Sequence, residues 1–406
     1  MTFSASRRGL LIGASSAFTG LLTGAYLPTP ASAAPRWTAG CSAGGVRAAV
    51  SFLQAKFDEY GSGDALRVPR SYTGGFFETP AWTFVSSFTY DDALVILAWL
   101  AHGDAGRAVV LGDTLLYAQE HDPIGDGRTR ASYQPDSFTV LDGTLDIGSP
   151  AAYTGNQAWA GMAFAHLYAR TGERRFLDGA LRLARWIFST TFDGSRAPYG
   201  YTGGRTAGDQ PITYKATEHN IDVGAFFTML GGLTGDRVWK DRATTAFSFV
   251  AAMQDRASGH LWTGTDPDGV TVNRYPIPED VQVWAFLATL DERYRRSVSW
   301  VVDNLCAYDA GVHGVSFSNA DTSKVWLEGT GQTALALAVR RAKGDSLLSK
   351  RLLWNIEQAQ DDTGGIPAAS SDGLDTGFGD LYYRSLHTGA TAWFLLAARG
   401  SNPLRL

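Results

Sequence analysis

Six short polar clusters punctuate the chain: Thr89-Tyr90-Asp91-Asp92, Thr154-Gly155-Asn156-Gln157, Thr217-Glu218-His219-Asn220-Ile221-Asp222, Pro278-Glu279-Asp280, Trp326-Leu327-Glu328-Gly329-Thr330 and Leu386-His387-Thr388. Each opens an apolar stretch, and four of the six carry a carboxylate in what would be the first helical turn. Taken singly, such a carboxylate reads as an ordinary helix cap. Brought to one place, the set can do chemistry. Hydrolysis of a glycosidic bond needs one carboxyl to protonate the leaving oxygen and another to activate water or attack directly. Two carboxyls in unlike surroundings can hold opposite protonation states at one pH.

Glu218 and Glu328 stand out, because each sits at the entrance of its own helix. Glu218 is the candidate general acid and Glu328 the candidate general base, with Asp91 or Glu279 able to exchange with either. Asp222 lies one helical turn after Glu218 and can orient it. Asp92, Asn156, Gln157, His219 and His387 are candidates for binding sugar hydroxyls. Tyr90, Trp326 and Tyr383 are candidates for lining the same place.

The elements that must position these residues repeat about every 55–70 residues, and a fixed period of this kind marks a modular fold. Each unit has a polar cluster, an apolar helix, a Gly-acidic break, an amphipathic helix and a Gly-rich loop. The breaks are Gly103-Asp104, Gly172-Glu173, Gly235-Asp236 and Gly344-Asp345. Glycine takes the left-handed conformation that ends a helix, and the acidic neighbour caps the next one. Connections this short force antiparallel helix pairs.

First helices are expected over Asp91 to Ala101, Asn156 to Arg170, Thr217 to Thr234, Glu279 to Leu290, Glu328 to Ala342 and Leu386 to Ala398. They are nearly free of charge after the first turn, so they should be buried on every side. Second helices, expected over Arg174 to Phe188, Arg237 to Met253, Glu292 to Leu305 and Ser346 to Gln358, alternate apolar and charged residues at helical spacing. That makes an inner and an outer layer. An unmatched outer helix at Gly45 to Tyr60 and an unmatched inner helix at the C-terminus can pair and close a ring. The expected fold is therefore all-α, an (α/α)6 barrel with long loops on one face. In such a ring all inner helices start at the same end, so the six clusters converge on one funnel.

Bulk properties narrow the function classes. A formal net charge of −5 leaves no basic footprint for nucleic acid. With 12 Trp, 16 Tyr and 21 Phe, several in Gly-rich segments such as Tyr199-Gly200-Tyr201 and Leu381-Tyr382-Tyr383, the chain is suited to the apolar faces of sugar rings. Cys41 and Cys306 are too few for a disulfide framework or a zinc site, and one disulfide or two free thiols are both open. Residues 1–33 read as a twin-arginine export signal: Arg7-Arg8, an apolar run to about Leu27, then Ala31-Ser32-Ala33 for cleavage. Residues 34–406 are expected to form one domain, secreted or held in the cell envelope, monomeric and without stable membrane insertion. No nucleotide-binding, zinc-protease or nucleophile-elbow signature occurs. No cofactor or metal is expected, although Asp361-Asp362-Thr363-Gly364 has the composition of a calcium loop.

The repeat, with the phrases Thr-Tyr-Asp-Asp-Ala-Leu (89–94), Thr-Glu-His-Asn-Ile-Asp (217–222) and Trp-Leu-Glu-Gly-Thr-Gly-Gln (326–332), resembles the six-hairpin glycosidase superfamily over nearly all of the mature chain. The resemblance implies a toroid acting on a carbohydrate, as an exported and commonly inverting hydrolase. That superfamily also holds lyases, phosphorylases and epimerases, so fold does not settle reaction. A polysaccharide lyase on a uronic-acid glycan would use His219, Lys215, Tyr214 and Arg384. An epimerase would pair His219 with His387. A non-catalytic glycan-binding protein on the same scaffold is a further alternative.

Overall fold

The computed structural model describes residues 40–406. The twin-arginine segment and the Ala31-Ser32-Ala33 site lie outside the described residues. Among the described residues twelve α-helices form: α1 (Ala43–Asp58), α2 (Thr89–His102), α3 (Ala105–Glu120), α4 (Thr154–Thr171), α5 (Arg174–Thr191), α6 (Thr217–Thr234), α7 (Arg237–Ala252), α8 (Glu279–Thr289), α9 (Arg295–Asn304), α10 (Leu327–Arg340), α11 (Asp345–Ala359) and α12 (Thr388–Arg399). None is long and apolar enough to cross a membrane.

The even-numbered helices pack side by side in the order α2, α4, α6, α8, α10, α12 and back to α2. Each also packs against an outer partner, and α1, from the start of the chain, covers α12 from its end. The ring therefore closes through the two unmatched helices. Sequence chemistry explains the layering. In α2 every residue from Thr89 to Trp99 is buried, as its apolar circumference requires. In α5, Phe176, Leu177, Leu183, Ala184 and Ile187 face inward, while Arg174, Arg175 and Arg185 are exposed.

At three of the four Gly-acidic breaks the glycine acts as its chemistry predicts, and at two of them the acid does as well, Glu173 making no side-chain cap bond. Gly103, Gly172 and Gly235 end α2, α4 and α6 in the left-handed region, with φ of 100°, 74° and 71°. Asp104 and Asp236 then cap α3 and α7, accepting the backbone N–H groups of Arg107 and Val238. The fourth differs. Arg341 itself turns left-handed to end α10, at φ 54°. Asp345 forms a buried two-pronged ion pair with Arg340, at 2.7 and 2.9 Å, and so ties α10 to α11. Between α8 and α9 no glycine is available, and Leu290 takes φ 54° instead.

The inner helices hang from the loops by a repeated bond. The first N–H of each helix donates to a loop carbonyl: Thr89 to Ala131, Thr154 to Gly203, Thr217 to Thr263, Glu279 to Phe317, Leu327 to Ala368 and Thr388 to Ser71. At four of these starts the threonine hydroxyl adds a second bond, to Arg130, Thr202, Trp262 and Arg70. These contacts answer whether the cluster carboxylates are caps. The N-cap positions of α2, α4, α6, α8 and α10 are Phe88, Tyr153, Ala216, Pro278 and Trp326, and none makes a side-chain cap bond. The acids lie inside the helices, and the loops satisfy the exposed N–H groups.

The loops on this face fold into small sheets of two or three short strands. One of them pairs Tyr72–Thr73 with Leu386–His387, so the expected helical start at Leu386 gives way to a strand and α12 begins at Thr388. The opposite end of the ring is covered by the C-terminal residues. Asn402 donates to the Leu287 carbonyl, Arg405 donates to that of Ala288, and Leu404 is buried.

Candidate functional site

Helical register decides which cluster residues face the axis. Three tryptophans, Trp159, Trp284 and Trp393, occupy the sixth position of alternate inner helices α4, α8 and α12. Their ring centroids lie 5.3, 6.0 and 6.0 Å apart, and all three are fully buried. They form the floor of the funnel. Residues four positions earlier lie on the same helix face, one turn nearer the entrance. On α2, α4, α6, α8, α10 and α12 these second residues are Tyr90, Gly155, Glu218, Asp280, Glu328 and Gly389.

Three successive inner helices thus present a carboxylate at one level: Glu218 on α6, Asp280 on α8 and Glu328 on α10. Tyr90 faces them from α2, resting edge-on against Trp159 at 5.2 Å. Gly155 and Gly389 contribute no side chain at this level. Asp280 was missed from sequence because the neighbouring Glu279 looked equivalent.

Glu328 is fully buried. Its Oε1 accepts from the Tyr90 hydroxyl at 2.7 Å and from Gln332 Nε2 at 3.1 Å. Tyr90 in turn accepts from Trp393 Nε1 at 2.9 Å. On the other side of Glu328, His387 Nδ1 lies 3.5 Å from Oε2. The same Nδ1 caps α12 by accepting the Ala390 N–H at 3.2 Å. An accepting Nδ1 leaves the ring proton on Nε2, which faces Asp91 Oδ2 at 3.2 Å. The imidazole is stacked on Tyr72 at 4.4 Å and 8°. Gly389 is required here: a Cβ would lie 2.5 Å from Asp91 Oδ1 and 2.8 Å from the imidazole. The fold therefore brings Tyr90, Asp91, Glu328 and His387 into one network.

Glu218 is half-buried, with Tyr214 close enough for its charge to reinforce the rise that burial gives the phenol. Asp222, one turn below, is fully buried on the same face. His219 and Asn156 occupy the third position of their helices and are buried as well. Neither amide atom of Asn156 has a hydrogen-bond partner among the described residues. A buried amide left in that state is ready to accept and donate to a hydroxyl or a water.

Several sequence candidates have other tasks. Gln157 is the fourth residue of α4, and it clamps Thr129 by accepting its N–H and donating to its carbonyl, both at 2.8 Å. Asn220 on α6 and Gln282 on α8 grip Tyr201 and Leu261 in the same way, so this position serves to anchor loops rather than to bind sugar. Asp92, also fourth in its helix, is fully buried and accepts from Ser87 Oγ at 2.7 Å. Burial first, with the Asp91 charge adding to it, raises its pKa above the ordinary carboxylate value, and its contact with Ser87 makes it a packing group. Glu279 points between helices and accepts from Thr333 on α10. Trp326 is fully buried against Phe317 and Tyr382. Tyr383 is displaced from the axis to the rim, where it stacks on Phe76 at 3.7 Å.

Asp380 is an addition that the sequence did not single out. It follows the tip of a hairpin whose strands are Leu374–Asp375 and Leu381–Tyr382, and its charge reaches Tyr153 at the start of α4. Burial, with the Asp375 charge behind it, pushes its carboxyl up to about 6. Lys215, by contrast, is fully buried, 3.0 Å from Asp193, and donates to the carbonyls of Arg196 and Pro198. It cannot serve the cleft as the cation that a lyase needs. The Asp361 carboxylate is taken up by its own turn, accepting from Thr363 and Gly365. Among the described residues no cluster of three or more metal-ligating side chains forms. Cys41 and Cys306 are both free thiols.

No family model and no curated protein matches the chain by sequence. Solved structures do match. A glycosidase in complex with glucose aligns over 90% of this chain and 100% of its own, with a TM-score of 0.61 and 13% identity. The fold is that of the six-hairpin glycosidases. A cellobiose 2-epimerase from Bacillus thermoamylovorans shares this toroid at a TM-score of 0.65 and 11% identity, over 87% of this chain and 98% of its own. So does a family 76 glycoside hydrolase, a mannosidase from Bacteroides thetaiotaomicron, at 0.58 and 11%, over 88% and 98%. The expected (α/α)6 architecture is thereby established for the toroid, and its neighbours both hydrolyse and epimerise sugars.

Proposed function

We propose that this toroid is an exported glycoside hydrolase. The observation that carries the proposal is the row of carboxylates on α6, α8 and α10, set at one level above an aromatic floor. Glu218, half open to the funnel, protonates the leaving oxygen. Glu328, held in place by Tyr90 and Gln332, draws a proton from the attacking water. Asp280 stands between them and stabilises positive charge as the sugar ring approaches an oxocarbenium ion. Asn156 and His219 receive sugar hydroxyls. Glu218 and Glu328 stand on helices separated by α8 in the ring, and inversion, in which a water attacks from the far face of the sugar, is the proposed outcome.

Export rests on the twin arginine and the small-residue cleavage site, and the carbohydrate class draws support from the fold's neighbours. The test is Glu218→Gln and Glu328→Gln in the mature protein, assayed on a panel of bacterial and plant polysaccharides. Each substitution is expected to lower turnover about 10²–10⁴-fold while glycan binding persists. Unchanged turnover in both variants would remove the proposal.

A second reading has one specific observation in its favour. Asp91, His387 and Glu328 gather an imidazole and two carboxylates in one place, the kind of groups that proton transfer on a free sugar requires. In an isomerase or epimerase, incubation in D2O would place deuterium on the carbon next to the sugar carbonyl. A hydrolase leaves that carbon protiated.

A further inference from the structure

Beyond the axial funnel, a line of aromatic rings runs outward from His387. Tyr72 stacks on His387 and packs on Phe77 at 4.6 Å, and Phe77 meets Trp82 at 6.4 Å. Trp82 touches both Phe76 and Phe84, at 6.0 and 6.2 Å. The rings near His387 are buried, whereas Trp82 is 48% and Phe76 40% exposed. Exposed rings of that size in a contiguous row mark a contact surface.

Beside the outer rings lies a cavity of about 260 Å³, lined by Trp82, Phe84, Phe88, Ser86, Ser132 and Gln134 among others, and none of its lining residues is charged. The Ser86 and Ser132 hydroxyls converge beside Gly148, where a Cβ would lie 2.7 Å from Ser132 Oγ and 3.3 Å from Ser86 Oγ. Phe88 is the residue just before Thr89-Tyr90, so the groove ends at the helix whose tyrosine holds Glu328.

Flat apolar faces, interleaved with uncharged hydroxyl and amide groups, match a sugar chain, whose rings have C–H faces and hydroxyl edges. Such a surface does not match a polyanion, which needs cations, or a lipid, which needs no hydroxyls. We infer that the groove between Trp82, Phe84 and Ser132 is a second, outer sugar-binding subsite that holds a neutral glycan chain leading out of the funnel. The inference rests on the carbohydrate reading above and adds a preference for long substrates.

The test compares the mature wild-type protein with Trp82→Ala and Ser132→Val. Binding of gluco- and manno-oligosaccharides of two to six units is measured calorimetrically, and turnover of the same series is measured in parallel. Wild type is expected to bind the hexasaccharide of one series more tightly than the disaccharide. Trp82→Ala should weaken hexasaccharide binding about tenfold, as loss of one stacked ring implies, and leave the disaccharide unchanged. Ser132→Val should do the same to a smaller degree. Equal effects on short and long chains, or no preference for length in wild type, would overturn the subsite while leaving the hydrolase proposal in place. Length-dependent binding lost in Trp82→Ala, but without bond cleavage by wild type, would support the subsite and remove the hydrolase.

Discussion

The Tyr90 hydroxyl donates to Glu328 Oε1 at 2.7 Å across 238 residues of sequence. The bond crosses from α2 to α10, past α12, which has Gly389 at that level. It joins the first inner helix to the fifth at the centre of the candidate site, and it holds the carboxylate that the proposed reaction needs as a base.

Removing that hydroxyl should separate catalysis from folding. Tyr90→Phe keeps the ring against Trp159 but removes the donor to Glu328 and the acceptor for Trp393. Turnover is expected to fall by about 10²-fold, and stability by about 1–2 kcal/mol, the ordinary worth of a buried hydrogen bond and an orphaned donor. Kinetics and a urea titration on the same preparation check both numbers. Wild-type turnover in Tyr90→Phe would show that Glu328 does not depend on this contact.

Asn156 should show the opposite balance. Its amide is buried with no partner among the described residues, so it lowers stability in the free protein and contributes when a hydroxyl is bound. Asn156→Ala is expected to raise KM about tenfold or more and to leave Tm unchanged or higher. A large drop in Tm with unaltered KM would identify a structural role instead.

Gly389→Ala is expected to abolish activity through geometry. The added methyl would collide with Asp91 Oδ1 and the His387 ring, and both are buried, so one of them has to move out of the network. Overpacking of this kind costs about 1–3 kcal/mol. A crystal structure of the variant should show His387 turned away from Asp91, and an unmoved imidazole would contradict the prediction.

Two carboxylates give opposite pH signatures. Asp380 has a folded pKa of about 6, raised from 3.8. The folded state therefore binds the extra proton, and the stabilising effect is complete below about pH 4 and is lost as pH rises through 6. Asp380→Asn should raise Tm at pH 7 and make no difference at pH 4. Asp193 is the reverse. Hydrogen bonds from Ser195 and Lys215, with further backbone donors, outweigh its burial and hold its pKa far below the usual range. Its contribution is present above the ordinary carboxylate pKa and disappears as pH falls through the depressed one. Asp193→Ala strands the buried Lys215 ammonium and should cost about 3–5 kcal/mol at pH 7. Thermal melts of Asp380→Asn across pH 4–8 test the first sign, and melts of Asp193→Ala carried down to about pH 2 test the second.

Local chemistry alone was enough to determine the layered ring. A run such as Val95-Ile96-Leu97-Ala98-Trp99-Leu100 has no face for water, so it must lie inside, and Arg174-Arg175 must lie out. Glycine before an acid marks a reversal, because only glycine turns left-handed without strain, and Gly103, Gly172 and Gly235 do so. Two unmatched ends with complementary character have to meet, as α1 and α12 do. The region where polar residues gather followed from the same reasoning.

Which of those residues work together was decided only by the tertiary structure. Adjacent helical residues point about 100° apart, so choosing between Glu279 and Asp280 depends on where α8 begins. That start is set by the bond from the Glu279 N–H to the carbonyl of Phe317, a residue on a distant loop. The same holds for Gln157 and Asn156, consecutive amides of similar chemistry. One is consumed by Thr129 and the other is left without a partner among the described residues. Asp380 reaches Tyr153 only because a hairpin near the end of the chain folds across to the start of α4. Composition and periodicity report what each residue prefers, whereas pairing across hundreds of residues depends on which loop happens to lie behind each helix.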